Sequence, residues 1–285
     1  MFKPDVFIKR ILDQKIITTL LLILTIASFS ISISSKYIID SNMITVYYFG
    51  WFFLFFFITL HAKIILGSIN ALILLIITFV LTFILEYMGT QGLIPNCEFY
   101  YTGDPAFSLL GEVPLLTPLG WLIIFYSGLI MTYIIFNGFL KDTKKEKFTK
   151  KPVMLFTGAV TTGLIVLSWD LIHDPVSVAF KAWIWKTKGI YYGIPIMNFV
   201  GWFVIAFAIY LLFHFYLLKK KRRTNFQKYS TSWFIMLPVI SYLILLTMDV
   251  IHSLQINKYY IIPVGLLTMS FFIILTCISF IKQKI

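Results

Sequence analysis

INALILLIITFVLTFIL, residues 69–85, runs for seventeen positions without a charged side chain. At 1.5 Å of rise per residue, about 20 such residues carry a helix across the hydrocarbon core of a bilayer. A barrel strand would alternate polar and apolar positions, and this run does not. Backbone groups cannot stay unpaired in lipid, so the segment must close its hydrogen bonds internally, as a helix.

The same texture extends in both directions. Of 285 residues, 59% are hydrophobic and 13% charged, and the mean hydropathy is +0.89. Soluble domains are about one quarter charged. Spans are expected at roughly 16–34, 43–61, 64–88, 114–140, 152–173, 194–218, 231–252 and 259–281, with the second turn formed by His61, Ala62 and Lys63. The first span has the basic front and apolar middle of a secretory signal, but seven more apolar segments follow it, which favours an uncleaved helix. The expected fold is all-α: a polytopic integral membrane bundle of about eight helices, one membrane-embedded domain over 1–285.

The net charge of +12 would suggest nucleic acid if it were spread over a surface. It is not. Nineteen of the 24 basic residues fall on one side of the eight-span arrangement: at Lys3, Lys9, Arg10 and Lys15, at Lys63, in 141–151 and 219–228, and at Lys282 and Lys284. Lys36, Lys181, Lys186, Lys188 and Lys258 fall on the other. The positive-inside rule then places both termini in the cytoplasm, with the chain in the cell membrane. The basic loops read as topology signals that also meet lipid headgroups, and no nucleic-acid partner is expected. Cys97 and Cys277 are too far apart along this arrangement to bridge. Neither has neighbouring Cys or His at zinc spacing, so no structural metal is expected. The sequence also offers no site for a cofactor, and none is expected.

Two connections, 89–113 and 174–193, are dense in Gly, Pro, Trp and Tyr. Gly89, Gly92, Pro95, Gly103, Pro105, Gly111 and Pro114 break any helix in the first. In the second, Asp174-Pro175 reads as an N-cap followed by proline at the first helical position. A short interfacial helix is expected near 175–187, carrying Trp183 and Trp185 beside lysines at headgroup level.

Five of the twelve acidic residues lie in or at the ends of apolar spans: Glu86, Glu112, Asp170, Asp174 and Asp249. In the expected topology all five reach the outer side. A carboxylate within a membrane is costly and marks a functional candidate. Bland readings compete: Asp174 as a cap, Glu112 as a solvated loop residue, His173 and His252 as interfacial groups, Asn198 as a helix-to-helix bond. Asp170, Glu86 and Asp249 resist them best, because their neighbours are almost wholly apolar. In such surroundings one carboxyl can keep its proton while a partner stays ionised, which suits acid chemistry on an apolar substrate. It would equally suit a proton-coupled transporter.

From Trp169 to Trp202 the chain reads Trp169-Asp170-Leu171-Ile172-His173-Asp174-Pro175-Val176, then Trp183-Ile184-Trp185, Gly189-Ile190-Tyr191-Tyr192-Gly193-Ile194-Pro195 and Asn198-Phe199-Val200-Gly201-Trp202. This resembles the signature of the carotenoid-biosynthesis membrane hydratases, of the bisanhydrobacterioruberin hydratase and γ-carotene 1′-hydratase type. Glu86, Gly89, Tyr101-Thr102, Gly111, Val113-Pro114, Pro118 and Trp121 fit the pattern upstream. The family's Pro-Phe-Gly before a Tyr-x-Tyr pair is replaced, with Phe99-x-Tyr101 standing there.

The resemblance implies a hydro-lyase that adds water to the terminal trisubstituted double bond of an acyclic carotenoid, with that apolar substrate and water as partners. Asp170 is the expected acid, with Glu86 or Asp174 orienting and deprotonating the water and Asp249 a further late-helix acid. Trp169, Trp183, Trp185, Tyr191 and Tyr192 would face the carbocation. Asn198 would position water or the product hydroxyl, and Tyr101 and Trp202 complete the substrate-binding set. A transporter, a carotenoid-binding scaffold, and an isomerase or cyclase using the same cation remain as rivals.

Overall fold

In the computed structural model, residues 4–38, 44–102, 107–140 and 152–284 are described. Lys3, Gly103, Pro105 and the basic run 141–151 lie outside them. Among the described residues, eight helices are long and apolar enough to cross a bilayer: α1 (Pro4–Ile38), α2 (Ile44–Leu66), α3 (Ser68–Thr90), α4 (Leu116–Leu140), α5 (Pro152–Ala179), α6 (Ile196–Lys219), α8 (Leu237–Gln255) and α9 (Ile262–Lys284). A four-residue α7 (Phe226–Tyr229) precedes α8. The protein is therefore a multi-pass membrane protein built as an α-helical bundle. The turn expected at His61, Ala62 and Lys63 comes later, because α2 continues to Leu66 and breaks at Gly67, whose φ of 88° suits glycine.

All eight helices are apolar on every side, so hydropathy alone cannot say which sits inside. The polar residues say it. In α4, 83% of the central window is buried, against 28% in α3 and α6. Each polar group along α4 meets a different neighbour. Tyr126 bonds His61 of α2 at 2.8 Å, and Ser127 bonds Ser241 of α8 at 3.0 Å. Thr132 bonds Thr162 of α5, Tyr133 bonds His214 of α6, and the Asn137 amide donates to Gln283 of α9, each at 2.8 Å. Gly128 admits α5 closely: a Cβ there would stand 3.4 Å from Ile165 and Val166. Small residues and interhelical hydrogen bonds are what hold helices together in lipid.

The end of the bundle where α3 and α5 finish and α4 and α6 begin is capped by short strands. β1 (Phe99–Tyr101) pairs antiparallel with β4 (Trp183–Trp185) in the register Phe99↔Trp185, Tyr100↔Ile184 and Tyr101↔Trp183. A smaller pair joins β2 (Ser108–Leu109) to β3 (Val113–Pro114). Strand geometry alternates faces. One face of the first pair therefore gathers Phe99, Tyr101, Trp183 and Trp185, while Tyr100 and Ile184 turn away. Lys186 ion-pairs with Glu98 just beyond the register.

This overturns the interfacial helix expected near 175–187. Asp174-Pro175 does not start a helix; α5 runs through it to Ala179. A proline inside a helix deprives the carbonyl four residues back of its donor. Here that carbonyl belongs to Leu171, and it accepts the Tyr191 hydroxyl at 2.7 Å. The chain then reverses at Lys181 (φ 60°) and enters β4.

Tyr126→Phe should leave the wholly buried His61 Nδ1 without its partner. The expected loss is about 1–3 kcal/mol, read as a lower midpoint of thermal unfolding in detergent.

Candidate active site

Beneath the β1–β4 cap lies a cavity of about 180 Å³. Five spanning helices and both strands contribute to its lining. α2 gives Tyr48 and Trp51; α3 gives Glu86; α4 gives Leu116, Thr117, Gly120 and Trp121. α5 gives Trp169, His173 and Asp174, and α6 gives Asn198 and Trp202. Phe99, Tyr101, Trp183 and Trp185 form the roof.

Two carboxyl groups face this space, and their partners differ. Asp174, 1% exposed, accepts the Trp183 indole N–H on Oδ1 at 2.8 Å and the Asn198 amide on Oδ2 at 2.6 Å. Glu86, 8% exposed, accepts the Trp121 indole N–H on Oε1 at 2.9 Å and the Tyr101 hydroxyl on Oε2 at 2.8 Å. Burial first, and Glu86 beside it, hold the Tyr101 phenol well above its ordinary pKa, so it stays protonated. Asn198 also donates to Asp170 Oδ2 at 3.0 Å, so one amide ties the two α5 aspartates together. They lie one turn apart on a single helix face.

Local sequence explains the aim of Asn198. The turn before α6 closes through Gly189 N–H to Gly193 O at 2.9 Å and Ile194 N–H to Tyr191 O at 2.8 Å. A Cβ on Gly189 would stand 1.8 Å from Ile194 O, so only glycine fits. Tyr191 pins this turn to α5 through Leu171, which sets the first turn of α6 against Asp170 and Asp174.

Aromatic planes form the walls. Trp121 and Trp202 stack with centroids 3.6 Å apart, Trp202 meets Trp169 edge-on at 5.6 Å, and Trp169 stacks on His173 at 4.0 Å. His173 Nδ1 bonds Asp249 Oδ1 at 3.1 Å, and Asp249 Oδ2 is buried without a partner. The indole N–H of Trp169 is likewise buried and unpartnered.

Residues 43–274 match the family model described as carotenoid biosynthesis protein. The chain belongs to that family. Over 131 residues it is 30% identical to bisanhydrobacterioruberin hydratase of Haloarcula japonica, a match covering 46% of this chain and 40% of that protein. The chain thus matches less than half of that relative's length. No solved structure matches the chain. The role of this carotenoid biosynthesis protein is carotenoid-related.

Of the residues singled out from the sequence, Glu86, Asp174, Trp169, Trp183, Trp185, Asn198, Trp202 and Tyr101 line one cavity of this carotenoid biosynthesis protein. Asp170 stands behind Asn198, and Asp249 behind His173. Tyr191 and Tyr192 lie off the cavity; their hydroxyls hold Leu171 O and Tyr260 O. Sequence reasoning passed over Tyr48 and Trp51, and it did not assign Phe99, Trp121 or His173 to the site. Trp121 fitted the family pattern and Phe99 stood in the Phe99-x-Tyr101 motif, so both carried a signal. His173 stood within the Trp169–Val176 signature and read as interfacial; nothing in the spacing marked Tyr48 or Trp51.

Two histidines in the far halves of α2 and α6, His61 and His214, were also unforeseen there. Both are wholly buried, with both ring nitrogens bonded inside the bundle. Burial, with help from the carboxylates nearby, pushes the Cys97 thiol up to about 12, which leaves it unreactive at neutral pH. Among the described residues, no three His, Cys, Asp or Glu side chains converge as metal ligands.

Tyr101→Phe removes only the hydroxyl that bonds Glu86. It should cost about 1–3 kcal/mol in thermal unfolding. Tyr100→Phe, on the outward face of the same strand, should change stability by less than about 0.5 kcal/mol.

Proposed function

We propose that the protein adds water across the terminal trisubstituted double bond of an acyclic carotenoid end group, yielding a tertiary alcohol. The observation that carries this reading is the pair of buried carboxyl groups, Glu86 and Asp174, facing one ring-walled cavity with unlike hydrogen-bond partners. Hydration of an alkene needs one neutral acid and one base, and the partners separate those roles. Both Asp174 oxygens receive N–H groups that can only donate, which suits a carboxylate. Glu86 Oε2 instead meets a phenol, which can turn and accept, so Glu86 can carry a proton there without losing a bond.

The π electrons of the terminal double bond take the Glu86 proton onto the CH carbon, and positive charge falls on the carbon bearing two methyl groups. A water lone pair closes the C–O bond at that carbon. Asp174 takes the proton released from the resulting oxonium. Net, one water is added and one proton has passed from Glu86 to Asp174; its return through water resets the site. General acid and base terms of this kind contribute about 10²–10⁴-fold each. The faces of Trp121, Trp169 and Trp202 stabilise the cation by about 0.5–2 kcal/mol per ring. Asp170, expected from the sequence to be the acid, lies behind Asn198. It serves here to orient the amide that holds Asp174, and Glu86 takes the acid role.

The test is expression in a host that makes acyclic carotenoids, followed by mass analysis of the pigments. The expected product is heavier by one water per reacted end. Glu86→Gln and Asp174→Asn should each lower its yield by at least about 100-fold, with the protein still in the membrane. Asp170→Asn leaves both cavity carboxyls in place and should retain measurable turnover. A product of unchanged mass would replace hydration with isomerisation or cyclisation through the same cation. Unaltered turnover in both cavity variants would remove the carboxyl pair from the chemistry.

A further inference from the structure

α2 is anomalous in composition. Nine of the eleven residues at 47–57 are aromatic, in a chain that is 18% aromatic. Packing accounts for some of them: Phe57 is wholly buried, and Trp51 lines the cavity. It does not account for the rings on the flank of the bundle. Tyr48, Phe49, Phe52 and Phe56 are all exposed large side chains. The neighbouring α3 shows what an ordinary flank looks like, exposing Ile69, Leu72, Ile76, Val80 and Ile84. Lipid tails ask for nothing more than such aliphatic groups.

The exposed rings are ordered. Tyr48, Phe52 and Phe56 stand at i, i+4 and i+8, one above the other along about 12 Å of helix. Phe52 and Phe56 have centroids 4.6 Å apart. This row begins at the cavity itself. Among the lining residues, the exposed large side chains are Tyr48 (50%) and Leu116 (45%), so the cavity opens to the flank past these two.

Size makes the opening necessary. Pockets that enclose a drug-sized ligand measure about 300–1,000 Å³, and this one measures about 180 Å³. It holds the end of a long isoprenoid chain and no more. The remainder must leave through the mouth, into the apolar layer beside α2.

We propose that the exposed row Tyr48, Phe52 and Phe56 is a binding groove for the extended conjugated chain of the substrate, continuous with the cavity that takes its end group. This rests on the reading of the site as one for a carotenoid end. A flat, polarisable polyene gains dispersion contacts against ring faces that a flexible lipid tail cannot match. The end group fixes the chemistry, and the row fixes the direction from which the chain arrives.

Binding tests this apart from any reaction. Purified protein in detergent is titrated with lycopene as the probe, reading the circular dichroism induced in the polyene absorption when an achiral chromophore is held in a chiral site. The wild type is expected to give this band. Tyr48→Leu/Phe52→Leu/Phe56→Leu is expected to bind about tenfold more weakly at an unchanged thermal midpoint. Should the triple variant not stay folded, Phe52→Leu and Phe56→Leu singly are each expected to bind about twofold more weakly. Equal affinity in these variants, or a wild type without the band, overturns the groove. An intact band that is weakened in the variants upholds the groove even where no hydrated product forms, and that absence of product would count against hydration alone.

Discussion

Lipid tails bury an apolar side chain about as well as a neighbouring helix does, so greasy helices need another reason to choose one another. In this protein α4 supplies it. Tyr126, Ser127, Thr132, Tyr133 and Asn137 each bond a different helix, and the Trp121 indole adds α3 through Glu86. Six helices are thereby indexed to one axis. Within a bilayer these groups have no water to fall back on, so each bond is enforced by the cost of leaving it open.

The candidate site follows from the same rule applied at the end of the bundle. Carboxyl groups buried there must find donors, and the donors come from elements far apart in the chain. Glu86 of α3 is met by α4 and β1, and Asp174 of α5 by β4 and α6. Each carboxyl therefore fastens the cap to the bundle as well as facing the cavity. The ladder of Trp121, Trp202, Trp169 and His173 fills the remaining wall with ring faces. Polarity is thus confined to a few fixed directions, and the rest of the lining is hydrocarbon.

Much of this was legible in the residues. Hydropathy located all eight spans, because length and absence of charge are sufficient signals in a membrane. Glu86, Asp170 and Asp249 stood out as acids among apolar neighbours, whereas Asp174 and Asn198 also read as a cap and a helix-to-helix bond. Of the five, Glu86, Asp174 and Asn198 line the cavity. The failures are equally physical. Trp183-Ile184-Trp185 has the period of two that marks a strand, yet its lysines and the preceding proline suggested an interfacial helix. Its partner, Phe99-Tyr100-Tyr101, lies more than eighty residues away, and pairing over that distance leaves no local trace. Asp170 looked more deeply placed than Asp174 and was the expected acid. The structure puts Asp174 in the cavity lining and Asp170 on the other side of the shared Asn198 amide, an arrangement with no trace in the local sequence. Tyr191 and Tyr192 carried the family pattern, but their hydroxyls answer to backbone carbonyls.

The carbonyl of Leu171 has a consequence for how this chain can vary. Pro175 frees it, and a single phenol sixteen residues downstream takes it up. The intervening segment must make a reversal, one strand and a tight turn, and then deliver Tyr191 back to a point on the helix it left. Apart from Trp183, which holds Asp174, and Gly189, which has no room for a Cβ, side chains along that path can be exchanged so long as the strand alternates. The count of residues cannot. A single insertion or deletion within β4 would turn one of its tryptophans out of the roof, and one between Trp185 and Tyr191 would strain the turn that sets Asn198 against its aspartates. At the other positions of this stretch, length is under tighter constraint than identity.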